Sequence, residues 1–207
     1  MCLNLLWFDC EEESLKKKFI LLVGKSGSGK TTIANECYHH GLQQVWSYTT
    51  RPPRVPNETG HKFISKEEFD GLKDLVAYTN YNGYEYCATT EQVEKSDIYV
   101  IDPRGVEYFK NNYRGDKEIV TVYIVPSMDA HESFNILYER MRKRGDTAEM
   151  AAQRTALDNR EFKGFENAAD YVFVNGKESD VGEIANALTY LIMEADLNAT
   201  LHNSHRS

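Results

Sequence analysis

The sequence predicts an α/β fold: a parallel sheet with helices on both faces, carrying a small, mostly β insertion and a helix–break–helix near its C-terminal third. Three observations predict it. The apolar run Phe19-Ile20-Leu21-Leu22-Val23 leads through the glycine-rich stretch Gly24–Thr32 into a helix-forming segment, which reads as a buried strand, a tight turn and a helix. From Asp97 onward, apolar strands alternate with helical segments, the pattern of a sheet covered on both sides. Between these regions, residues 49–90 break the alternation with a Pro-Pro pair and an Asn-Gly dipeptide, the marks of a rigid loop and a hairpin.

Residues 1–17 precede the first strand and read as an N-terminal extension, in which Leu5, Leu6, Trp7 and Phe8 either dock on the core or a partner or stay disordered. The strand at 19–23 is followed by a helix that Gly41 stops, since glycine accepts the left-handed conformation of a helix end. Gln44–Tyr48 reads as a second strand of the main sheet. In Thr49-Thr50-Arg51-Pro52-Pro53-Arg54 the prolines exclude helix and central strand. Lys62–Ile64 is a short strand, and Ser65-Lys66-Glu67-Glu68 is a capping box opening a helix to about Lys73. Leu75–Asn80 and Tyr84–Cys87 flank Asn82-Gly83 as a hairpin. The strand Asp97–Ile101 ends at Asp102 and precedes a helix over 104–112. After the strand Ile119–Val125, a helix capped by Ser127 or Asp129 runs to Arg144. Gly145-Asp146 breaks it, and Thr147 caps the next, reaching Phe162. The last strand is Tyr171–Val174, and Val181, Ile184, Ala185, Leu188, Leu191 and Ile192 form one face of the final helix. Residues 200–207 read as a frayed tail. The expected division is a core of 18–48 and 91–199, an insertion at about 49–90 and a lid at about 138–160.

A chain of 207 residues that is 41% hydrophobic suits one α/β domain with insertions. Its formal net charge of −8 disfavours a broad nucleic-acid or membrane-surface role. Cys2, Cys10, Cys37 and Cys87 lack metal or redox spacing and read as free thiols of a reducing compartment. The first eight residues lack a basic leader and run into Asp9, Glu11, Glu12 and Glu13, so they do not read as a signal peptide. No apolar run approaches the roughly 20 residues of a membrane span. The expectation is a cytoplasmic monomer or homodimer.

Gly24-Lys25-Ser26-Gly27-Ser28-Gly29-Lys30-Thr31-Thr32 fits the Walker A pattern of Gly, four residues, Gly, Lys and Ser or Thr. Glycines let successive backbone N–H groups turn toward a phosphate, and the helix N-terminus adds positive potential. Lys30, expected to face solvent until nucleotide arrives, would reach the β- and γ-phosphates of ATP, and the Thr31 hydroxyl would ligate Mg²⁺. In parallel sheets ligands lie beyond the carboxyl ends of the strands, where Ser47–Arg54 and Asp102–Arg104 are also expected. Arg51 and Arg54 present guanidinium forks suited to the phosphate of a second substrate, and Tyr86 can add a phenolic hydroxyl. Arg140, Arg142, Lys143 and Arg144 crowd a helix end, where cations are also common for electrostatic reasons alone. With Arg154 on the next helix they fit a lid that clamps phosphates and excludes water on closure. His39, His40 and His61 read as surface or loop residues.

In order over residues 18–195, Gly24–Thr32, Ser47-Tyr48-Thr49-Thr50-Arg51-Pro52-Pro53-Arg54, Gly60, Asn82-Gly83-Tyr84-Glu85-Tyr86 and Ile101-Asp102-Pro103-Arg104-Gly105-Val106 resemble the guanylate kinase family. The resemblance implies a parallel P-loop sheet with helices on both faces, a small acceptor-binding insertion, a helical lid, and transfer of the ATP γ-phosphate to GMP with Mg²⁺. It implies that Lys30 and Thr31 serve ATP and Mg²⁺, and that Ser47, Arg51, Arg54 and Tyr86 hold the acceptor. Asp102 would read guanine, while Arg140, Arg144 and Arg154 clamp phosphates. The chain departs from the family pattern at Phe63, where a tyrosine is usual, at Ala77 and Ala88, where a glutamate and a hydroxyl residue read the base, and at Val100, where an aspartate is usual. These changes weaken base reading more than phosphate handling. Three other readings stay open: a kinase of another nucleotide or a phosphorylated sugar, a non-catalytic phosphopeptide-binding module, and a regulatory P-loop ATPase.

Overall fold

The computed structural model describes the chain from Lys16 to Ser204 apart from Arg54, Val55 and Asn82. The expectations for residues 1–15, Arg54 and the Asn82 turn position lie outside the described residues. In chain order the elements are β1 (Lys18–Gly24), α1 (Lys30–His39), β2 (Ser47–Thr49), β3 (His61–Phe63), α2 (Lys66–Asp70), β4 (Leu75–Tyr81), β5 (Tyr84–Thr89), α3 (Thr90–Glu94), β6 (Ile98–Val100) and α4 (Pro103–Asn112). They continue with β7 (Glu118–Val125), α5 (Ala130–Lys143), α6 (Ala148–Glu161), a 3₁₀ turn at Phe165–Asn167, β8 (Tyr171–Val174) and α7 (Val181–Ser204).

The main sheet has the order β6-β1-β7-β8 and is parallel throughout. Alternate residues of β1 point to opposite faces. Phe19, Leu21 and Val23 pack with Val106 and Phe109 of α4, while Ile20 and Leu22 pack with Ile33, Ala34 and Cys37 of α1 and Ile184, Ala185, Leu188 and Ile192 of α7. Both faces are therefore dry, which is why β1 is apolar at every position from Phe19 to Val23 rather than at every second one.

The second sheet has the order β3-β2-β5-β4. The expected second strand of the main sheet is corrected here. Only Gln44 bridges to Ile98, and Ser47–Thr49 pairs instead with β3 and β5. The second sheet shares the first hydrophobic cluster through Val76, Ala77 and Ala88, with Val93 of α3 beside them. Leu137 and Met141 of α5 with Ala151 of α6 form a separate small cluster.

The predicted caps form. Ser65 and Glu68 make a reciprocal capping box, though α2 stops at Asp70. Asp129, of the two candidates Ser127 and Asp129, and Thr147 each accept a backbone N–H at the start of α5 and α6, and Asp102, which the sequence reading gave only as a strand end, does the same for α4. The sequence reading missed α3, opened by a second capping box from Thr89 and Gln92. The frayed tail is also corrected as far as it is described: α7 stays helical to Ser204, and residues 205–207 lie outside the described residues. Among the described residues no helix is long and apolar enough to cross a membrane. Cys37 and Cys87 are buried free thiols whose pKa values burial pushes up, to about 11 and about 12.

Candidate active site

Two cavities open at the carboxyl end of β1, and both are lined by Ser26 and Lys30. One, of about 590 Å³, lies over the N-terminus of α1 and is bounded by Thr31, Thr32, Arg140 and Arg144. The other, of about 390 Å³, lies toward the second sheet and is bounded by Ser47, Tyr86, Asp102 and Arg154. Lys30 therefore stands at their junction.

The loop between β1 and α1 is held from behind. Gly29 has φ +96°, and a Cβ there would meet Asn175 Nδ2 at 2.3 Å. That amide donates to Ser28 O at 2.8 Å. A side chain at Gly24 would strike Ser28 Oγ at 2.5 Å. Ser28 itself turns inward: its N–H donates to Lys25 O at 3.1 Å and its hydroxyl is fully buried. Its hydroxyl therefore serves the turn, not the cavity. Gly27 lies against α5, its carbonyl accepting from Arg140 Nη1 at 3.4 Å.

Lys30 does not face solvent, as expected from sequence, but folds back into the loop. Its Nζ donates to Gly24 O at 2.5 Å and Lys25 O at 3.1 Å. Burial pushes its pKa down to about 8; Asp158 and Asp102 oppose that shift and Arg144 adds to it. Asp158, on α6 and nearly buried, accepts from Ser26 N at 2.6 Å, and its neighbour Asn159 accepts from Lys25 Nζ at 2.8 Å. A carboxylate thus occupies an N–H group of the kind that binds phosphate in a turn preceding a helix.

The lid arginines divide between the cavities. Arg140 donates to Gly176 O at 2.7 Å, and burial lowers its pKa. Arg144 bonds Asp146 at 2.7 Å, and Arg154 approaches the same carboxylate at 3.7 Å. Asp146, placed by the break between α5 and α6, keeps two cations of separate helices side by side.

On the acceptor side, Ser47, Tyr86 and Asp102 are brought together, and Arg51 is not among the residues lining their cavity. Arg51 is 7% exposed and its fork grips Glu58 at 2.8 and 3.2 Å. The Phe63 ring lies 5.2 Å from its guanidinium carbon, a cation–π contact. The expectation of a free phosphate-binding fork is thus corrected for this conformation: a carboxylate holds it. Asp102 spends Oδ1 on the Gly105 N–H at 2.7 Å. Ala77 and Val100 line the cavity, but Ala88 is wholly buried outside it.

Five residues that the sequence reading did not use belong to this site or brace it. Asp158 follows Arg154 by four residues on one helix face, a readable spacing. Asp146 shows in the sequence only as a helix breaker. His61 stands two residues from Phe63 on one strand face. Glu58 and Asn175 gave no local signal, because only the fold brings them to Arg51 and Ser28.

The sequence profile of the guanylate kinase family matches residues 16–195. The guanylate kinase of Neisseria gonorrhoeae is 31% identical over 189 residues, covering 83% of this chain and 88% of that protein. That of Gloeobacter violaceus is 32% identical over 186 residues, covering 84% and 87%. The crystal structure of guanylate kinase from Anaplasma phagocytophilum shares the fold, with a TM-score of 0.56 at 24% identity over 86% of this chain and 87% of that one. Profile, relatives and fold agree over the segment that builds both cavities, and the chain belongs to the guanylate kinase family.

Proposed function

We propose that this chain is an ATP-dependent nucleoside monophosphate kinase that converts GMP or dGMP to the diphosphate. The observation that carries the reading is Lys30 at the junction of two cavities, one over a helix N-terminus and one facing the second sheet. In the donor cavity, Gly24, Lys25, Ser26, Gly27, Gly29, Lys30, Thr31 and Thr32 embrace the triphosphate through backbone N–H groups and Lys30. Ser28 holds the turn. In the acceptor cavity, Ser47 and Tyr86 hold the monophosphate and Asp102 receives guanine N–H groups; Arg51 joins them by exchanging Glu58 for the phosphate, and Arg54 is assigned to the same phosphate from its place in the motif.

Phosphoryl transfer spreads charge over oxygens between donor and acceptor, so positioning and cationic clamping supply most of the catalysis. Lys30 bridges the two sites, and Arg140, Arg144 and Arg154 close on the phosphates from the lid. Closure frees Lys30 from Gly24 O and Lys25 O and aims its ammonium at the transferring group. Among the described residues no cluster of three acidic, His or Cys side chains is preformed for a metal. The exposed Thr31 hydroxyl at the helix start fits one position of a Mg²⁺ ion otherwise held by phosphates and water. Such an ion, when bound, neutralises charge on the β- and γ-phosphates. The acidic net charge and the free thiols support small nucleotides as partners of a cytoplasmic monomer or homodimer, without nucleic acid or membrane.

The specific observation favouring a second acceptor is the apolar lining at Ala77 and Val100. Fewer hydrogen-bonding groups there mean weaker discrimination among bases. The test is a screen of ATP with each ribo- and deoxyribonucleoside monophosphate, following ADP. Turnover led by GMP or dGMP supports the reading, and a different preferred acceptor supports the second. Failure with every monophosphate overturns both.

A further inference from the structure

We infer that His61 is an acceptor-contacting residue, the side chain of this chain that donates a hydrogen bond to the acceptor's phosphate beside Ser47 and Tyr86. The inference rests on the acceptor cavity proposed above and adds a residue to it. Three strands bring the group together. His61 on β3 is the register partner of Ser47 on β2, and its Nδ1 lies 3.4 Å from Ser47 Oγ. On the other side its ring meets that of Tyr86 on β5 edge-on, with centroids 5.6 Å apart. All three side chains line the same cavity.

The alternation of β3 explains why the role falls to this residue. His61 and Phe63 lie on one face, their rings 6.1 Å apart, while Lys62 is exposed and its Nζ reaches the Tyr48 ring at 5.2 Å. Phe63 has no polar atom and its ring covers the Arg51 guanidinium. The polar member of that strand face is therefore His61. An imidazole carries at least one N–H donor in either charge state, and the Ser47 hydroxyl rotates to donate or accept as its neighbour requires. A phosphoryl oxygen arriving between Ser47 and Tyr86 comes beside the imidazole, which lines the same cavity.

The test uses the full chain with two substitutions, His61→Leu, which removes the donor, and His61→Gln, which keeps one. GMP binding is measured by calorimetry, and KM for GMP and for ATP by steady-state kinetics. The expected result for His61→Leu is a GMP dissociation constant and KM raised about tenfold, the loss of one hydrogen bond to a charged group, with KM for ATP within twofold of wild type. His61→Gln recovers most of the difference. Unchanged GMP affinity in His61→Leu overturns the inference, as does an equal rise in KM for ATP, which would mean a disturbed fold. Wild type that binds GMP through His61 but does not turn over would sink the kinase reading and leave this inference standing. Wild type that does not bind GMP sinks both.

Discussion

The carboxylate of Asp158 competes for the loop that is to receive a triphosphate, so replacing it should tighten ATP binding. In the structure Asp158 Oδ2 takes the Ser26 N–H at 2.6 Å from a nearly buried position. ATP has to displace that bond, or share the N–H with a negative group beside its phosphates. A hydrogen bond to a charged group contributes about 1.5–3 kcal/mol. Removing the competitor returns that amount to ligand binding, and at about 1.4 kcal/mol per tenfold the ATP dissociation constant of Asp158→Ala should fall about tenfold to a hundredfold. One effect opposes this gain: Asp158 raises the Lys30 pKa against the larger effect of burial, so its loss leaves Lys30 less fully charged. Below pH 7 that opposition is small. Asp158→Asn keeps an acceptor without the charge and should fall between wild type and Ala. The assay is calorimetry with a non-hydrolysable ATP analogue at pH 6.5. ATP binding that is weaker in Asp158→Ala would refute the reasoning and make the carboxylate a ligand-side group, not a competitor.

Lys30 has a folded pKa of about 8 against an ordinary 10.5, so between those values the unfolded chain holds a proton that the native one lacks. Stability from this group therefore rises with pH through that window, and its cost is constant below it. Phosphate binding recharges Lys30, so titrations of the analogue at pH 8 in two buffers of different ionisation enthalpy should show uptake of about half a proton, absent in Lys30→Met. Arg51→Ala takes two guanidinium hydrogen bonds from Glu58, whose side chain is 16% exposed, which should cost about 2 kcal/mol in urea unfolding besides weakening the acceptor. A midpoint equal to wild type would show that the pair is not formed in solution. Ala77→Glu places a carboxylate in the acceptor cavity and should raise the ratio of kcat/KM for GMP over AMP about tenfold; an unchanged ratio would mean that position 77 does not meet the base.

What was legible in the sequence was local. The spacing of Gly24, Gly29, Lys30 and Thr31 defines a turn whose geometry depends on those residues alone, and the loop lies where it was read. Ser65 and Glu68 found each other because a capping box spans one turn. Sheet membership was not legible for Ser47–Thr49: the run is equally suited to either sheet, and pairing with Cys87 and Tyr86 decided it. Charge partners failed for the same reason. Arg51 carries the expected fork, but Glu58 arrives across a loop whose path no short window specifies. His61 was passed over because an isolated histidine in a loop-like stretch gives no clue to the cavity that strand pairing builds around it. Ala88 falls in sequence at a base-reading position of the family pattern, yet the fold gives it to the core.

The amide of Asn175 that backs Ser28 and bars a side chain at Gly29 ties one of the earliest functional stretches of the chain to one of the latest structural ones. A growing polypeptide presents residues 24–31 to solvent long before Asn175 leaves the ribosome, and β1 waits meanwhile for β6 and β7, its partners on either side. Nascent chains that stop short of β8 carry the glycine-rich motif without its rear support. Competence to bind nucleotide thus arrives late and all at once, and any translational pause before residue 175 lengthens the time during which β1, apolar on both faces, is uncovered and open to chaperones.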